Sequence, residues 1–414
     1  MWCIRSGMIK ANTTVTSDWD MVSAQLPTGW KALAKDMALL EARPEQLGAK
    51  VDDIEAVLRV VLYQAGASDS LRATAARAAA VGLLAVSHVA LHKWMKKLGP
   101  YLTALLGRMV DAAAFSPEKW GGFDVIAGDA TTVQRPGSKG TTARVHYALR
   151  LADLTPRHIE VTDEHGGETA KRFRAEPGEL WLLDRGYSNP PGVAAIHDRG
   201  AHIIVRVNRG TLPVYDKRGT RIDVAALLRS TTQREQPRQC PAFVHVGDSL
   251  IAGRLCWLRI PKDKVAQARQ RAERESEGPC DAERLAAAEF VVIFTTVLHE
   301  LSAAQVLTLY RARWQVELEF KRAKSIRELD RLPNFLPETI HSWICAKLLL
   351  QMVVMRIASQ SAAFPPGGTQ FDIQLLPAFP PTTAPRSARR PRAMVRRAAR
   401  MGRHLRRAPA RDAL

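Results

Sequence analysis

The sequence predicts an α/β protein: a mixed sheet that carries the chemistry, interrupted by a β-rich insertion domain and preceded by an all-helical N-terminal domain. Three observations predict it. Residues 18 to about 112 are rich in Ala, Leu and Lys, with Gly and Pro at helix breaks. From about residue 122 the apolar residues fall into short alternating runs, the period of strands. After about 290 a strand-like run leads into two helical stretches. The expected organisation is an N-terminal extension (1–17), a helical domain (18–115), a sheet core in two parts (120–207 and 290–360) flanking the insertion domain (208–289), and a Pro- and Arg-rich tail (361–414).

The helical region contains one pattern of note. A small-residue helix begins at Ser70 and ends at Gly82, and Ser87 then makes an N-cap for a helix carrying His88, His92, Lys93, Lys96 and Lys97. Helix, glycine-containing turn and basic helix is the helix-turn-helix pattern, and a plain helical hairpin is the alternative.

The strands follow in order. Phe123–Val133 leads through Asp129, Ala143–Leu151 alternates, and Arg157–Thr162 is a third. Glu179–Tyr187 is apolar until Asp184, Pro190–Arg199 reads as a helix, and Ala201–Val207 is the next strand. Three consecutive strands followed by strand–helix–strand fit an RNase H-like mixed sheet. Thr211–Tyr215, Ala242–Val246 and Ile251–Ile260 are the β-like pieces of the insertion, followed by the charged helix Lys262–Ser276. The sheet resumes at Phe290–Thr295.

Charge and cysteine usage narrow the partners. The chain of 414 residues carries a net charge of +19, which points to a polyanion. Residues 386–414 hold eleven Arg, one Asp and no Glu, and without them the charge is +9. The five cysteines are scattered with no C-x-x-C pair, so neither a disulfide framework nor a zinc site is signalled, as suits a reducing cytosol. The N-terminus is too short and polar to open a signal peptide, and no apolar run approaches the roughly 18 residues that span a bilayer, so no membrane partner is expected. Leu348–Met355 reads as a buried helix.

The most telling segment is Tyr310–Lys324. Tyr310, Arg313, Glu317, Lys321 and Lys324 are spaced 3, 4, 4 and 3, one stripe of a single helix. Core-facing stripes are filled with Leu, Ile or Val, and this one holds a carboxylate bracketed by cations and a tyrosine. Solvated helices use the same Glu–Lys pairs for surface stabilisation, so the stripe gains its meaning from two further carboxylates. Asp129 and Asp184 each sit at or near the end of an apolar strand, held on rigid scaffold. Three carboxylates can hold two Mg²⁺ ions about 3.5–4 Å apart for in-line phosphoryl transfer. Arg313, Lys321 and Lys324 would then grip flanking phosphates. Trp314, beside Val316 and Leu318, reads as core in preference to a base-stacking platform.

With these residues placed, the chain resembles the DDE insertion-sequence transposases of family four. Gly128-Asp129-Ala130-Thr131-Thr132, Leu183-Asp184-Arg185-Gly186-Tyr187 and Tyr310-x2-Arg313-x3-Glu317-x6-Lys324 match the family's three motifs, and the last reproduces its Y-R-E-K signature without a gap. The separations of 55 and 133 residues also fit, the longer one housing a β-rich insertion. The resemblance covers about residues 20–360. It implies Asp129, Asp184 and Glu317 as metal ligands for two Mg²⁺ ions, with Mn²⁺ as the substitute. It also implies nicking by water at a transposon end, attack by the freed 3′-hydroxyl to form a hairpin, reopening, and strand transfer to target DNA. Tyr310, Arg313 and Lys324 would contact DNA near the scissile phosphate, with Arg185 helping to place it. Lys93, Lys96 and Lys97 would lie on phosphates of the terminal inverted repeats. Joining two ends implies a homodimer on DNA, working in the cytoplasm at the nucleoid. Two other readings stand beside this one: a non-catalytic DNA-binding inhibitor or element remnant, and a stand-alone nuclease. The Arg-rich tail reads either as a source of salt-dependent DNA affinity or as a degraded end.

Overall fold

A computed structural model describes residues 18–39, 53–111, 119–138, 140–274, 281–332 and 337–360. The N-terminal extension and the tail from 361 lie outside them. The chain divides into two compact units: one takes in the helices up to Met109 and the C-terminal helix from Ser342, the other runs from Val110 to His341.

The first unit is helical. Its elements are α1 (Asp18–Ser23), α2 (Trp30–Asp36), α3 (Ile54–Ala67), α4 (Leu71–Ala80) and α5 (His88–Asp111). Asp53 and Ser70 cap α3 and α4 by accepting hydrogen bonds from the backbone of Glu55 and Ala73. Ser87 Oγ accepts from Ala90 N at 3.1 Å at the head of α5, the expected cap. Gly82 takes a positive φ of 67° just after α4, a conformation that favours glycine. The connection between α4 and α5 spans residues 81–87, longer than the three or four residues of the usual helix-turn-helix. Leu91, Trp94, Met95, Leu98 and Leu102 bury one face of α5, while Lys93 and Lys96 are exposed and Lys97 half-buried on the other.

The last described helix, α12 (Pro337–Ser359), was expected within the second part of the sheet core. From Ser342 onward it instead supplies the core of the helical unit, where Trp343, Ile344, Leu348, Leu349 and Val353 are buried. Lys347 Nζ donates to Ser68 Oγ at 3.0 Å, and Arg356 donates to the carbonyls of Gln25 and Met109 at 2.8 and 2.7 Å. The expectation that no apolar stretch is long enough to cross a membrane is corrected here. Thr339–Ala358 passes by length and composition, although 67% of it is buried inside the protein, as in a core helix.

The second unit is built on a sheet. Its strands are β1 (Asp124–Val133), β2 (Ala143–Arg150), β3 (Pro156–Asp163), β4 (Glu179–Leu183), β5 (His202–Arg206), β6 (Arg238–Val246), β7 (Ser249–Arg259) and β8 (Phe290–Thr295). Among the described residues they form one sheet in the order β3-β2-β1-β4-β5-β8-β7-β6. The first three are antiparallel neighbours, while β4 runs parallel to β1 and β5 parallel to β4. This mixed order is consistent with the RNase H-like arrangement. Helix α6 (Pro190–His197), capped by Asn189, makes the crossover that the parallel strands β4 and β5 need. Residues 208–289 fall between β5 and β8 and include α7 (Val224–Arg229), α8 (Lys262–Arg274) and α9 (Ala282–Ala287). Their two long strands continue the same sheet through the β7–β8 pairing.

Both faces of the central strands β4, β5 and β8 are covered, so these three read as near-continuous apolar runs. Side chains alternate between the faces. Ile126, Trp181 and Leu183 join one buried cluster with Phe173, Tyr187 and Val193. Val125, Ala127, Leu180 and Leu182 join the other, with Val306, Leu309, Tyr310, Val316 and Phe320 from the helices that follow β8.

One buried histidine gives the unit a pH dependence. His146 on β2 is fully buried, with Nε2 3.1 Å from Thr162 Oγ1. Burial, and then the Arg172 charge, push its pKa down to about 4. The unfolded chain takes up a proton near 6.5 that the folded chain refuses, so stability is full above that pH and falls on acidification towards 4. The expected loss is about 2–3 kcal/mol. Denaturant melts at pH 7 and pH 4.5 check it: His146→Gln should flatten the difference between them.

Candidate active site

The sheet register brings the two aspartates together. Gly128 on β1 lies level with Leu183 on the parallel neighbour β4, so Asp129 and Asp184 follow side by side on adjacent strands. Their alternation places them on the face of Val125, Ala127, Leu180 and Leu182, which the later helices cover. Asp129 lies within β1, paired with Tyr147 of β2, and Asp184 stands immediately beyond β4. Gly128 points the opposite way. A Cβ there would sit 2.7 Å from Leu183 Cδ2 and 3.1 Å from the Phe173 ring, so only glycine fits before Asp129.

The third carboxylate comes from the helices. The single helix expected over Tyr310–Lys324 is in fact two, α10 (Ala303–Arg311) and α11 (Trp314–Arg327). Between them Arg313 N bonds to Tyr310 O and Val316 N to Arg313 O, three residues apart instead of four. This tighter turn stacks Arg313 on Tyr310, with the guanidinium 5.7 Å from the ring centre.

Tyr310, Arg313 and Glu317 converge on the aspartates. Tyr310 Oη donates to Asp184 Oδ1 at 3.1 Å. The Arg313 guanidinium lies 3.3 Å from Asp129 Oδ2, 3.9 Å from Asp184 Oδ2 and 2.5 Å from Glu317 Oε1. Three carboxylates thus surround one cationic group. Their environments differ. Burial pushes Asp129 up to about 7, against the pull of Arg313. Burial opposes ionisation of Asp184 too, but Arg313, the Arg185 backbone, Arg206 and the Tyr310 hydroxyl outweigh it and hold Asp184 low. Arg313 is itself held charged by the same groups against its burial.

The other expected contacts divide. Lys321 Nζ lies 4.0 Å from the centre of the Trp314 ring and not among the carboxylates, and Trp314 is half-buried instead of core. Lys324 is half-buried further along α11, and Arg185 is exposed in the 3₁₀ turn after Asp184. Tyr187 of the same motif is fully buried against Phe173, the ring centres 5.6 Å apart. Two charged residues were missed from the sequence. Arg206 ends β5, next to β4, and acts on both Asp184 and Tyr310. Glu168 precedes the 3₁₀ turn Ala170–Arg172 and adds its charge beside Asp184. Arg206 ends an apolar strand, as Asp184 follows one, and that was the available signal. Glu168 lies in a loop and had none.

The donor set suits a hard divalent cation, because carboxylate oxygens are what Mg²⁺ and Mn²⁺ prefer. Among the described residues, however, no three carboxylate, histidine or cysteine groups lie close enough to hold a metal ion as they stand. Instead, the three carboxylates share the Arg313 guanidinium.

The chain also matches known proteins. Residues 120–352, more than half of the chain, match the family model described as the transposase DDE domain. The transposase for insertion sequence element IS421 of Escherichia coli is 28% identical over 361 residues, covering 84% of this chain and 96% of that protein. The transposase for insertion sequence element IS231F of Bacillus thuringiensis subsp. israelensis is 24% identical over 245 residues, covering 52% and 50%. With an aspartate pair on adjacent strands and a glutamate brought over them by a helix, the chain belongs to the transposase DDE-domain family, among the transposases of insertion sequences.

Proposed function

We propose that the chain is a cut-and-paste transposase of family four, with Asp129, Asp184 and Glu317 as its catalytic carboxylates. The observation that carries this reading is the convergence of all three on the Arg313 guanidinium. It supports a site able to concentrate positive charge where a phosphate is cut. Asp129, Asp184 and Glu317 would hold two Mg²⁺ ions, or Mn²⁺, which supply Lewis-acid stabilisation of the attacked phosphate. The protein's own groups do the rest. Tyr310 fixes the Asp184 carboxylate, and the fold screens most of the Asp129 side chain from bulk water. Arg313, Lys321, Lys324 and Arg185 bind DNA phosphates near the cut, and Lys93, Lys96 and Lys97 on α5 bind the terminal inverted repeat. The protein works as a homodimer on DNA, in the cytoplasm at the nucleoid.

The hairpin route has its own signature. Incubating the full chain with Mg²⁺ and a linear duplex carrying the element's end, labelled on one strand, should yield first a nick and then a species that migrates at double length on a denaturing gel. Accumulation of flush-cut ends with no hairpin would reject that route in favour of direct double-strand cleavage.

A further inference from the structure

We propose that Arg254, on strand β7, is a positioning residue for cleavage: its guanidinium clamps the turn that leads into α10 and so holds Tyr310 on Asp184. The inference rests on the reading of Tyr310 and Asp184 in the preceding section and extends it to a residue outside the three motifs. Its first support is the set of partners that Arg254 keeps. The residue is buried, with 6% of its surface exposed. Nε donates to Val297 O at 2.8 Å, one terminal nitrogen to Leu301 O, and the other to Gln239 Oε1 of β6 at 2.5 Å. All three acceptors are neutral. A buried cation without a counter-charge is costly, and an apolar side chain would fill the position at lower cost. The neighbouring Leu255, Cys256 and Trp257 show that β7 accommodates buried side chains of that kind. A guanidinium alone provides a planar fork of donors that reaches two carbonyls at once.

The second support is where those carbonyls lie. Val297 and Leu301 are four residues apart in the connection between β8 and α10, and both are buried. Leu298, His299 and Glu300 between them are exposed, so the turn loops outwards and the guanidinium closes its neck. The neck is fixed from other sides as well. Thr296 N donates to Ile203 O at 3.2 Å. A Cβ on Gly121 would lie 2.5 Å from Leu301 Cδ2, so glycine there lets the two segments approach. Ser302 then starts α10 with a capping box shared with Gln305.

The third support is what the helix transmits. From this fixed start α10 runs to Tyr310, whose hydroxyl donates to Asp184 Oδ1 at 3.1 Å. At the usual helical rise, a tilt of roughly 10° at Ala303 would move Tyr310 by about 2 Å. That is enough to break the hydrogen bond. A misplacement of about 1 Å in a catalytic site can cost about a hundredfold in rate. The hairpin β6–β7 thus acts on the site from a distance, through Arg254 and the turn it closes.

The test compares wild type, Arg254→Lys and Arg254→Met, each also combined with Tyr310→Phe, as full chains with a labelled element end in Mg²⁺. Arg254→Met should cut about ten- to a hundredfold more slowly. Arg254→Lys, a single point donor, should recover only a small part of that loss. Both should keep wild-type affinity for the DNA end. In the Tyr310→Phe background Arg254→Met should cost at most about threefold, because the contact it positions is already gone. Hydrogen exchange adds a reading independent of cutting: the amides of 297–306 should exchange faster in both Arg254 variants, while β4 and α6 keep their protection. Unchanged cutting, a full further loss in the Tyr310→Phe background, or unchanged exchange at 297–306 would each overturn the clamp. Failure of both variants to fold would overturn it too, by making Arg254 a residue of stability alone. Absence of cutting by wild type would overturn the transposase reading instead, and exchange at 297–306 would then decide the clamp by itself.

Discussion

Replacing Arg313 with Met should lower nicking at the element's end about a hundredfold, as loss of a positioned charge at a reacting phosphate does. The same variant should bind Mn²⁺ more tightly than wild type when no DNA is present. The two effects should have opposite signs if, as proposed, Arg313 serves DNA phosphate as well as the carboxylates. In this structure its guanidinium touches all three carboxylates, at 3.3 Å from Asp129, 3.9 Å from Asp184 and 2.5 Å from Glu317. A divalent cation competes for the same oxygens. When phosphate draws the guanidinium away, the oxygens are released, so DNA and metal should each favour the other's binding by the same factor. In Arg313→Met this coupling should vanish. Titrating Mn²⁺ into wild type and variant, with and without a DNA end, measures it. Equal Mn²⁺ affinity in both proteins without DNA would show that Arg313 does not guard the site.

The second large effect is expected at Gly128. Gly128→Val places carbon where Leu183 Cδ2 stands 2.7 Å from the Cβ position and the Phe173 ring 3.1 Å from it. Neither neighbour has room to yield. Leu183 is fully buried on β4, and Phe173 is stacked on Trp181 with ring centres 4.8 Å apart. Overpacking of this kind costs about 1–3 kcal/mol. Here it also separates β1 from β4 at the level of the aspartates. Thermal unfolding should therefore fall, and the residual folded protein should cut poorly because Asp129 is displaced from Asp184. Unaltered stability and cutting would mean that the strands do not need this close approach.

Much of the sheet was legible in the sequence because each strand is a compact apolar run between turn residues. Expected and observed limits of β1, β2, β3 and β5 agree within one or two residues. Asp184 stands out for a related reason, as a charged residue directly after an apolar strand, whereas Asp129 lies within β1 and Glu317 on a helix. Where spacing alone had to carry the reading, it was less reliable. A 3.6-residue period gave one helix through Tyr310 and Lys324, whereas the chain tightens at Ala312–Arg313, and within the second helix Lys321 lies over the Trp314 ring. Propensity contains nothing that signals this break, because both residues keep helical backbone angles. Long-range placement was the least legible. The apolar pattern of α12 shows that it is buried but not that its partners lie near Ser68 and Met109. The β6–β7 hairpin likewise gives no local sign that β7 will pair with β8. Glu168 and Arg206 belong to the same class, since only the folded sheet brings a loop glutamate and a strand-end arginine to Asp184.

The most direct measurement is single-turnover cleavage of a labelled linear DNA carrying the element's own end, in Mg²⁺, by wild type and Glu317→Ala side by side. The account predicts nicks at the end with wild type and at least a thousandfold fewer with the variant, on the order of what loss of an essential catalytic group costs. DNA binding should be kept by both. Equal cutting by the two proteins, or binding by both with no cutting at any salt concentration, would contradict a catalytic centre built on Asp129, Asp184 and Glu317.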